Sequence, residues 1–370
     1  MDSLANYNNR IKNDTYIDMT TSTQRLQGKE LLEAWTNFDT EGKRIFPRDI
    51  ATKLGVSEAE LLASKIGNGE VTRLSGDWAD FVKRLPELKE VLSITRNEAC
   101  VLEHKGDFGK TNVMPDGSTG LSIGPIETRM FLQYWAVGFF VKQESKKGFS
   151  ESIHIYDKEG DSVIKIYKKE NTDIAAFDKL VADFTSEDQS DVQAYEAYKP
   201  MSTTPIHDID KEEFTQSWRE LKDTHQFFGM IRKYKADRYD ACELVKGEFT
   251  YKIDPVNLKD LLEQAAETEL PIMIFASSRG NIQIHQDVVK RVLVMGNWLN
   301  IMDPKFNMHL NEEHINTAWV VKKPTEDGHV TSIEVFDHDN KLIVQFFGLR
   351  KPGQAEDENW RTLVDNFERI

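Results

Sequence analysis

The sequence predicts an α+β fold built as a tandem duplication, each half being helices followed by a large antiparallel β-sheet. The first observation is an internal echo. Phe139-Phe140-Val141-Lys142, Ser152-Ile153-His154-Ile155-Tyr156-Asp157 and Ile164-Lys165-Ile166-Tyr167 are answered by Trp319-Val320-Val321-Lys322, Ser332-Ile333-Glu334-Val335-Phe336-Asp337 and Val344-Gln345-Phe346-Phe347, each 180 residues later. Upstream, Trp35 answers to Trp218 and Arg96 to Arg279, both 183 apart, so the register drifts by three positions across a half. The second observation is the order of patterns, helical period first and strand alternation afterwards in both halves. The third is length, since 370 residues exceed one ordinary core.

Residues 1–23, rich in Asn, Asp and Thr without a period, read as a mobile tail. Repeat 1 spans 24–190. Leu26, Leu31, Leu32 and Trp35 begin it with a helical pattern, and FPRDIATKLG from Phe46 continues it. SEAELLASKIG follows, with Ser57 as N-cap and Glu60 three residues on, which is a capping box. A further helix is expected around Asp80 to Lys89, and EVLSITRNEACVLEH then turns to strand alternation. GPIETRMFLQYWAVGFFVKQ from Gly124 fits a strand or a buried helix. SESIHIYDKEGDSVIKIYKK reads as two strands joined at Glu159-Gly160. A polar, Pro-containing linker, 191–207, leads to repeat 2 at 208–370. There Trp218, Leu221, His225, Phe228 and Ile231 fall on one face of a helical stretch reaching Cys242, with Phe227 beside them, so His225 is expected to be buried.

A net charge of −15 and a pI near 5.2 argue against nucleic acid as a partner, which needs a basic field. No apolar run approaches the roughly 18 residues that span a bilayer, and the N-terminus lacks a signal-peptide core, so a cytoplasmic protein without membrane insertion is expected. Cys100 and Cys242 sit in unrelated contexts, without CxxC or CxxCH spacing, and read as small buried hydrophobes. HLNEEH places its histidines off a common helical face, and no GxGxxG, Walker A or GxSxG pattern occurs.

A site used once should lie where the two copies disagree. His225 has no histidine counterpart, its equivalents being Gly42 or Lys43, and Arg129 is matched by His309. A histidine on an apolar face has two readings: a core imidazole bonded to a carbonyl, or an axial ligand in an aromatic slot, as haem iron requires. Arg129 is either a surface strand residue or a functional cation. Cations also bunch in repeat 2, at Arg232, Lys233, Lys235 and Arg238, at Lys322-Lys323 and at Arg350-Lys351. These are solvated faces or, beside an axial base and an apolar slot, the partners of carboxylates.

DTHQFF from Asp223, RGNIQIH from Arg279, WLNIMDP from Trp298 and AWVVKKPTEDGHVTSIEVFDHD from Ala318 resemble the HemS/ChuS/HmuS type of hemin-degrading or hemin-transport factor of Gram-negative bacteria. The resemblance covers nearly the whole chain after the tail. It implies haem (iron protoporphyrin IX) as substrate or cargo, with His225 as proximal ligand of the iron. It further implies Arg129 reaching across from repeat 1 as the distal, catalytic residue, with Phe131 near the distal wall. Arg238, Lys323 and Arg350 match residues around the propionates. Phe347 stands where relatives commonly have Tyr, removing one hydrogen bond to a propionate. The activity implied is oxidative haem degradation that frees iron with an external electron donor, or else a haem chaperone or store that serves a separate oxygenase. Partners would be haem and a reductase or haem-uptake transporter, in a monomer or homodimer.

Overall fold

The computed structural model describes residues 25–40, 42, 45–145, 148–350 and 353–370, and the expected tail lies outside the described residues. The first half runs α1 (Gly28–Thr36), α2 (Pro47–Leu54), α3 (Glu58–Ala63), β1 (Val71–Leu74), α4 (Trp78–Arg84), β2 (Lys89–Arg96) and β3 (Cys100–Gly106). It continues with β4 (Lys110–Val113), β5 (Thr119–Ile123), β6 (Glu127–Phe131), β7 (Val137–Ser145), β8 (Gly148–Tyr156), β9 (Ser162–Thr172) and α5 (Ile174–Phe184). The second half repeats the plan as α6 (Lys211–Arg219), α7 (Gln226–Tyr234), α8 (Arg238–Leu244), β10 (Thr250–Ile253), α9 (Asn257–Glu267), β11 (Pro271–Ser277) and β12 (Asn281–Val288). It closes with β13 (Val292–Met295), β14 (Trp298–Met302), β15 (Phe306–Asn311), β16 (Ile315–Thr325), β17 (Gly328–Asp337), β18 (Leu342–Gly348) and α10 (Glu358–Asp365).

Local chemistry accounts for several of these boundaries. The Ser57 capping box forms as expected, its hydroxyl accepting from the Glu60 amide while the Glu60 carboxylate accepts from the Ser57 amide. Gly160, at φ +78°, makes the expected turn between β8 and β9, and a Cβ there would collide with the Ser57 hydroxyl, so turn and helix start are mutually fitted. The segment from Gly124, ambiguous in sequence, is strand: β6, a 3-10 turn at Leu132–Tyr134, then β7.

The sheets differ from the simplest duplication, in which each half closes its own meander. There are two nine-stranded antiparallel sheets, ordered β1-β7-β8-β9-β2-β3-β15-β14-β13 and β10-β16-β17-β18-β11-β12-β6-β5-β4. Each half therefore gives six strands to its own sheet and three to the other. Pairing of β6 with β12, Arg129 opposite Ile282, and of β15 with β3, His309 opposite Val101, makes the two joins. The exchange places Arg129 and Phe131 in the second half's sheet.

One face of each sheet is packed inward. Ile272, Ile274, Val320, Ile333, Val335 and Phe346 of the second sheet share a core with Leu102, Leu299, Ile301, Met308 and Leu310 of the first. A buried polar group crosses this contact: Gln283 bonds Ser93, Thr95 and His104 Nδ1, and Asn281 Nδ2 donates to Thr95 at 2.7 Å. Phe306 stacks on His285 with centroids 3.7 Å apart and lies 4.6 Å from His104. Burial pushes the two imidazoles down, to about 3 for His104 and about 4 for His285, so both are held neutral.

Candidate functional site

The outward face of the second sheet is covered over part of its width. Phe214, Trp218, Phe227 and Met230 of α6 and α7 pack with Trp319, Val321 and Phe336 of the strands beneath, and Trp218 Nε1 donates to the Lys322 carbonyl at 3.0 Å. From β18 to β6 the same face stays half-open. Register puts Phe347, Phe275, Ile282 and Arg129 on it, since Phe275 faces Gln345, Ile282 faces Ser277 and Arg129 faces Ile282. Phe275 and Phe347 meet edge to face, centroids 5.1 Å apart. Leu121, Phe131 and Met273 complete an apolar floor of half-buried side chains crossing about 19 Å, or four strand spacings from β18 to β5.

His225 is not where the periodicity puts it. The stretch from Trp218 is two helices, α6 ending at Arg219 and α7 beginning at Gln226, with His225 as the residue before α7. Its side chain is 94% exposed rather than buried. The break has a local cause. Asp223 Oδ1 accepts from the His225 amide at 2.7 Å and Gln226 Oε1 accepts from the Lys222 amide at 2.9 Å, so side chains take donors that a continuous helix would use. Phe228, expected on the same buried stripe, is 56% exposed, whereas Phe227 is buried.

The Asp223 carboxylate also lies 2.6 Å from His225 Nδ1, and the two bonds from His225 hold its pKa below the usual carboxylate range. A carboxylate at Nδ1 places the ring proton there. Nε2 then carries its lone pair toward solvent, the orientation seen in metal-ligating histidines with a carboxylate behind them.

Two of the expected cations are committed to a residue that the sequence reading missed. Glu334 is fully buried, and its carboxylate accepts from Arg238 Nε at 2.7 Å, Arg238 Nη2 at 2.9 Å, Lys323 Nζ at 2.7 Å and Ser332 Oγ at 3.2 Å. Burial alone would raise this carboxyl, but Arg238 and Lys323 hold it far below its ordinary value. Both cations lie over the Phe227 ring, Lys323 at 4.5 Å and Arg238 at 5.2 Å from its centroid, and Arg238 is also 5.6 Å from Phe228. Arg350 lies just beyond β18, its Nη1 3.7 Å from Asp327. The signal for Glu334 was present: at the repeat offset it replaces His154, a disagreement between the copies of the kind that singled out His225.

Arg129, at the far side of the floor, bonds Glu127 through Nη2 at 3.2 Å. Its Nη1 is buried without a protein partner, which suits a donor awaiting a ligand. Of the seven expected positions, Arg129, Phe131, Lys323 and Phe347 lie on strands of the second sheet, Arg238 opens α8, and His225 and Arg350 sit just before α7 and just after β18. The face thus combines an apolar floor, the cations Arg238, Lys323 and Arg350, and an exposed imidazole at His225. A separate acidic group, Asp157, Glu159 and Asp161, is capped by Arg279, which lies 3.5 Å from both Asp157 and Glu159 and suits an ion-pair reading.

Comparison with known proteins identifies the family. The family model described as the haemin-degrading HemS.ChuX domain matches twice, at residues 55–184 and 235–367. The hemin transport protein HemS of Yersinia enterocolitica is 33% identical over 338 residues, covering 91% of this chain and 96% of its own. The crystal structure of holo-PhuS, a heme-binding protein from Pseudomonas aeruginosa, superposes with a TM-score of 0.89 at 39% identity, over 92% of this chain and 99% of that one. ChuS, described as an E. coli heme oxygenase, gives 0.81 at 34% identity, over 90% and 98%.

Proposed function

The chain belongs to the haemin-degrading HemS/ChuX family, and from that premise we propose that it binds one haem on the open face of the second sheet and degrades it oxidatively, releasing iron. The observation that carries the reading is the His225–Asp223 pair, an exposed imidazole with a carboxylate at Nδ1, at the head of α7, whose Phe227 ring lies against Arg238 and Lys323.

In this reading His225 Nε2 binds the iron and Asp223 fixes the tautomer. Phe347, Phe275, Ile282 and Phe131 hold the ring, while Arg238, Lys323 and Arg350 meet the propionates. Phe347 offers those groups no hydroxyl. Arg129, whose Nη1 is buried without a protein partner, would supply a hydrogen-bond donor to charge on the far face of the ring. Ring opening is otherwise the haem's own oxygen chemistry. No nicotinamide or flavin signature occurs in the sequence, so the electrons come from an external reductant or partner reductase. No described helix is long and apolar enough to cross a membrane, and we place the protein in the cytoplasm, as a monomer or homodimer receiving haem from an uptake transporter.

A chaperone or storage role is the second reading, favoured by the 94% exposure of the His225 side chain, since a ligand at the rim suits exchange. Haem-loaded protein given ascorbate in air, with catalase present, separates the two. Loss of the haem bands with release of chelatable iron supports degradation. Stable bands, with intact haem passed to an apo-oxygenase, support the chaperone.

A further inference from the structure

Glu334 has no role in the reading above, yet it occupies the middle of the cation pair. It is fully buried on β17, between Lys323 on β16 and the start of α8, and takes three charge-assisted bonds from Arg238 and Lys323. Lys323 is 4% exposed, so neither its position nor its charge is set by solvent. Two adjacent buried cations without a counter-ion would repel one another strongly in this environment. Glu334 therefore supplies both alignment and one negative charge.

The duplication provides an internal contrast. By the starts of α3 and α8, Glu58 stands for Arg238, and at the 180-residue offset of the later strands His154 stands for Glu334 and Gln143 for Lys323. In the first half Glu58 pairs with Lys165 at 2.5 Å, and His154 is satisfied by Ser152 at 2.9 Å and Tyr156 at 3.2 Å. Two cations gathered on one buried carboxylate are thus a feature of the second half, where the open aromatic floor also lies.

Resting on the haem reading, we infer that Glu334 is the residue that tunes the grip on the propionates, aligning Arg238 and Lys323 while competing with the ligand's carboxylates for them. Arg238 and Lys323 share the single charge of Glu334, and Arg350 lies 3.7 Å from Asp327, so part of the cations' charge is already balanced before a dicarboxylate porphyrin arrives. Part of the cations' bonding capacity is therefore satisfied without ligand, which weakens retention of the porphyrin and permits its release.

The test compares hemin with hemin dimethyl ester, which has the same ring and iron but no propionate charge. Release of each from the full chain is followed with excess apomyoglobin as trap, at fixed pH and ionic strength. Glu334→Gln is expected to slow hemin release by about tenfold, on the scale of one uncompensated charge at interior distances, and to leave ester release unchanged. The double variant Glu334→Gln with Lys323→Met, in which the cluster returns to its wild-type net charge with Arg238 as the remaining cation, is expected to restore hemin release to near the wild-type rate. An equal change for both ligands in Glu334→Gln overturns the inference, because a purely structural residue would act on the ring as well. So does an unchanged hemin rate, or a double variant that releases hemin as slowly as Glu334→Gln. Wild-type protein that binds neither ligand fells the haem reading itself, and this inference with it.

Discussion

His225 and Asp223, two residues apart, are joined through the ring: Nδ1 lies 2.6 Å from the carboxylate oxygen, which also accepts the His225 amide. One carboxylate oxygen therefore both accepts the amide at the entry to α7 and lies at the imidazole Nδ1. In the haem reading, the same contact would orient the iron ligand.

Asp223→Asn retains an acceptor near Nδ1 and removes the charge behind it. The expected result is a haem affinity lower by about tenfold, at the lower end of what second-shell changes produce, with an unchanged far-UV circular dichroism spectrum. An affinity equal to wild type would show that Asp223 serves the turn alone.

Arg129→Ala removes the one site residue with a buried, unpartnered nitrogen. Haem should still bind, because floor, cations and His225 are untouched. Ascorbate-driven breakdown should slow by on the order of 10²-fold, the usual cost of losing a donor aimed at developing charge. An undiminished rate would remove Arg129 from the chemistry.

The histidines between the sheets give a pH dependence unrelated to haem. Burial lowers His104 to about 3 and His285 to about 4. An unfolded imidazole titrates near 6.5, so below that pH the unfolded chain binds more protons than the folded one. Stability is complete above pH 6.5 and is lost as pH falls toward 4 and then 3. At pH 5 the loss is about 2 kcal/mol per imidazole. Urea midpoints of ligand-free protein should drop between pH 7.5 and 5, and less so in His104→Gln/His285→Gln; a flat wild-type profile would contradict the assignment.

The duplication was legible because apolar positions on paired strands recur at a fixed interval, as Trp319 does after Phe139. The strand exchange was not, since an offset says which strands correspond and nothing about which partner each chooses. Arg129 opposite Ile282 is long-range information, visible only once β6 pairs with β12. His225 is singled out in the sequence by a pattern that the structure does not keep. The 3.6-residue spacing of Trp218, Leu221 and Phe228 runs across a break that Asp223 creates, so it was read as one helix and His225 as buried. Glu334 was hidden by its setting, because the alternation Ser332-Ile333-Glu334-Val335 looks like a strand with a wet face. That face is dry, being roofed by α6, α7 and α8.

The most direct measurement is a pair of absorption titrations with hemin, one on wild-type protein and one on His225→Ala. The expected result is one hemin per wild-type chain with a sharpened Soret band, and in the variant a shifted band with affinity reduced by at least tenfold, consistent with loss of an axial ligand. Identical spectra and affinities in the two proteins would contradict His225 as the iron ligand, and with it the placement of the site.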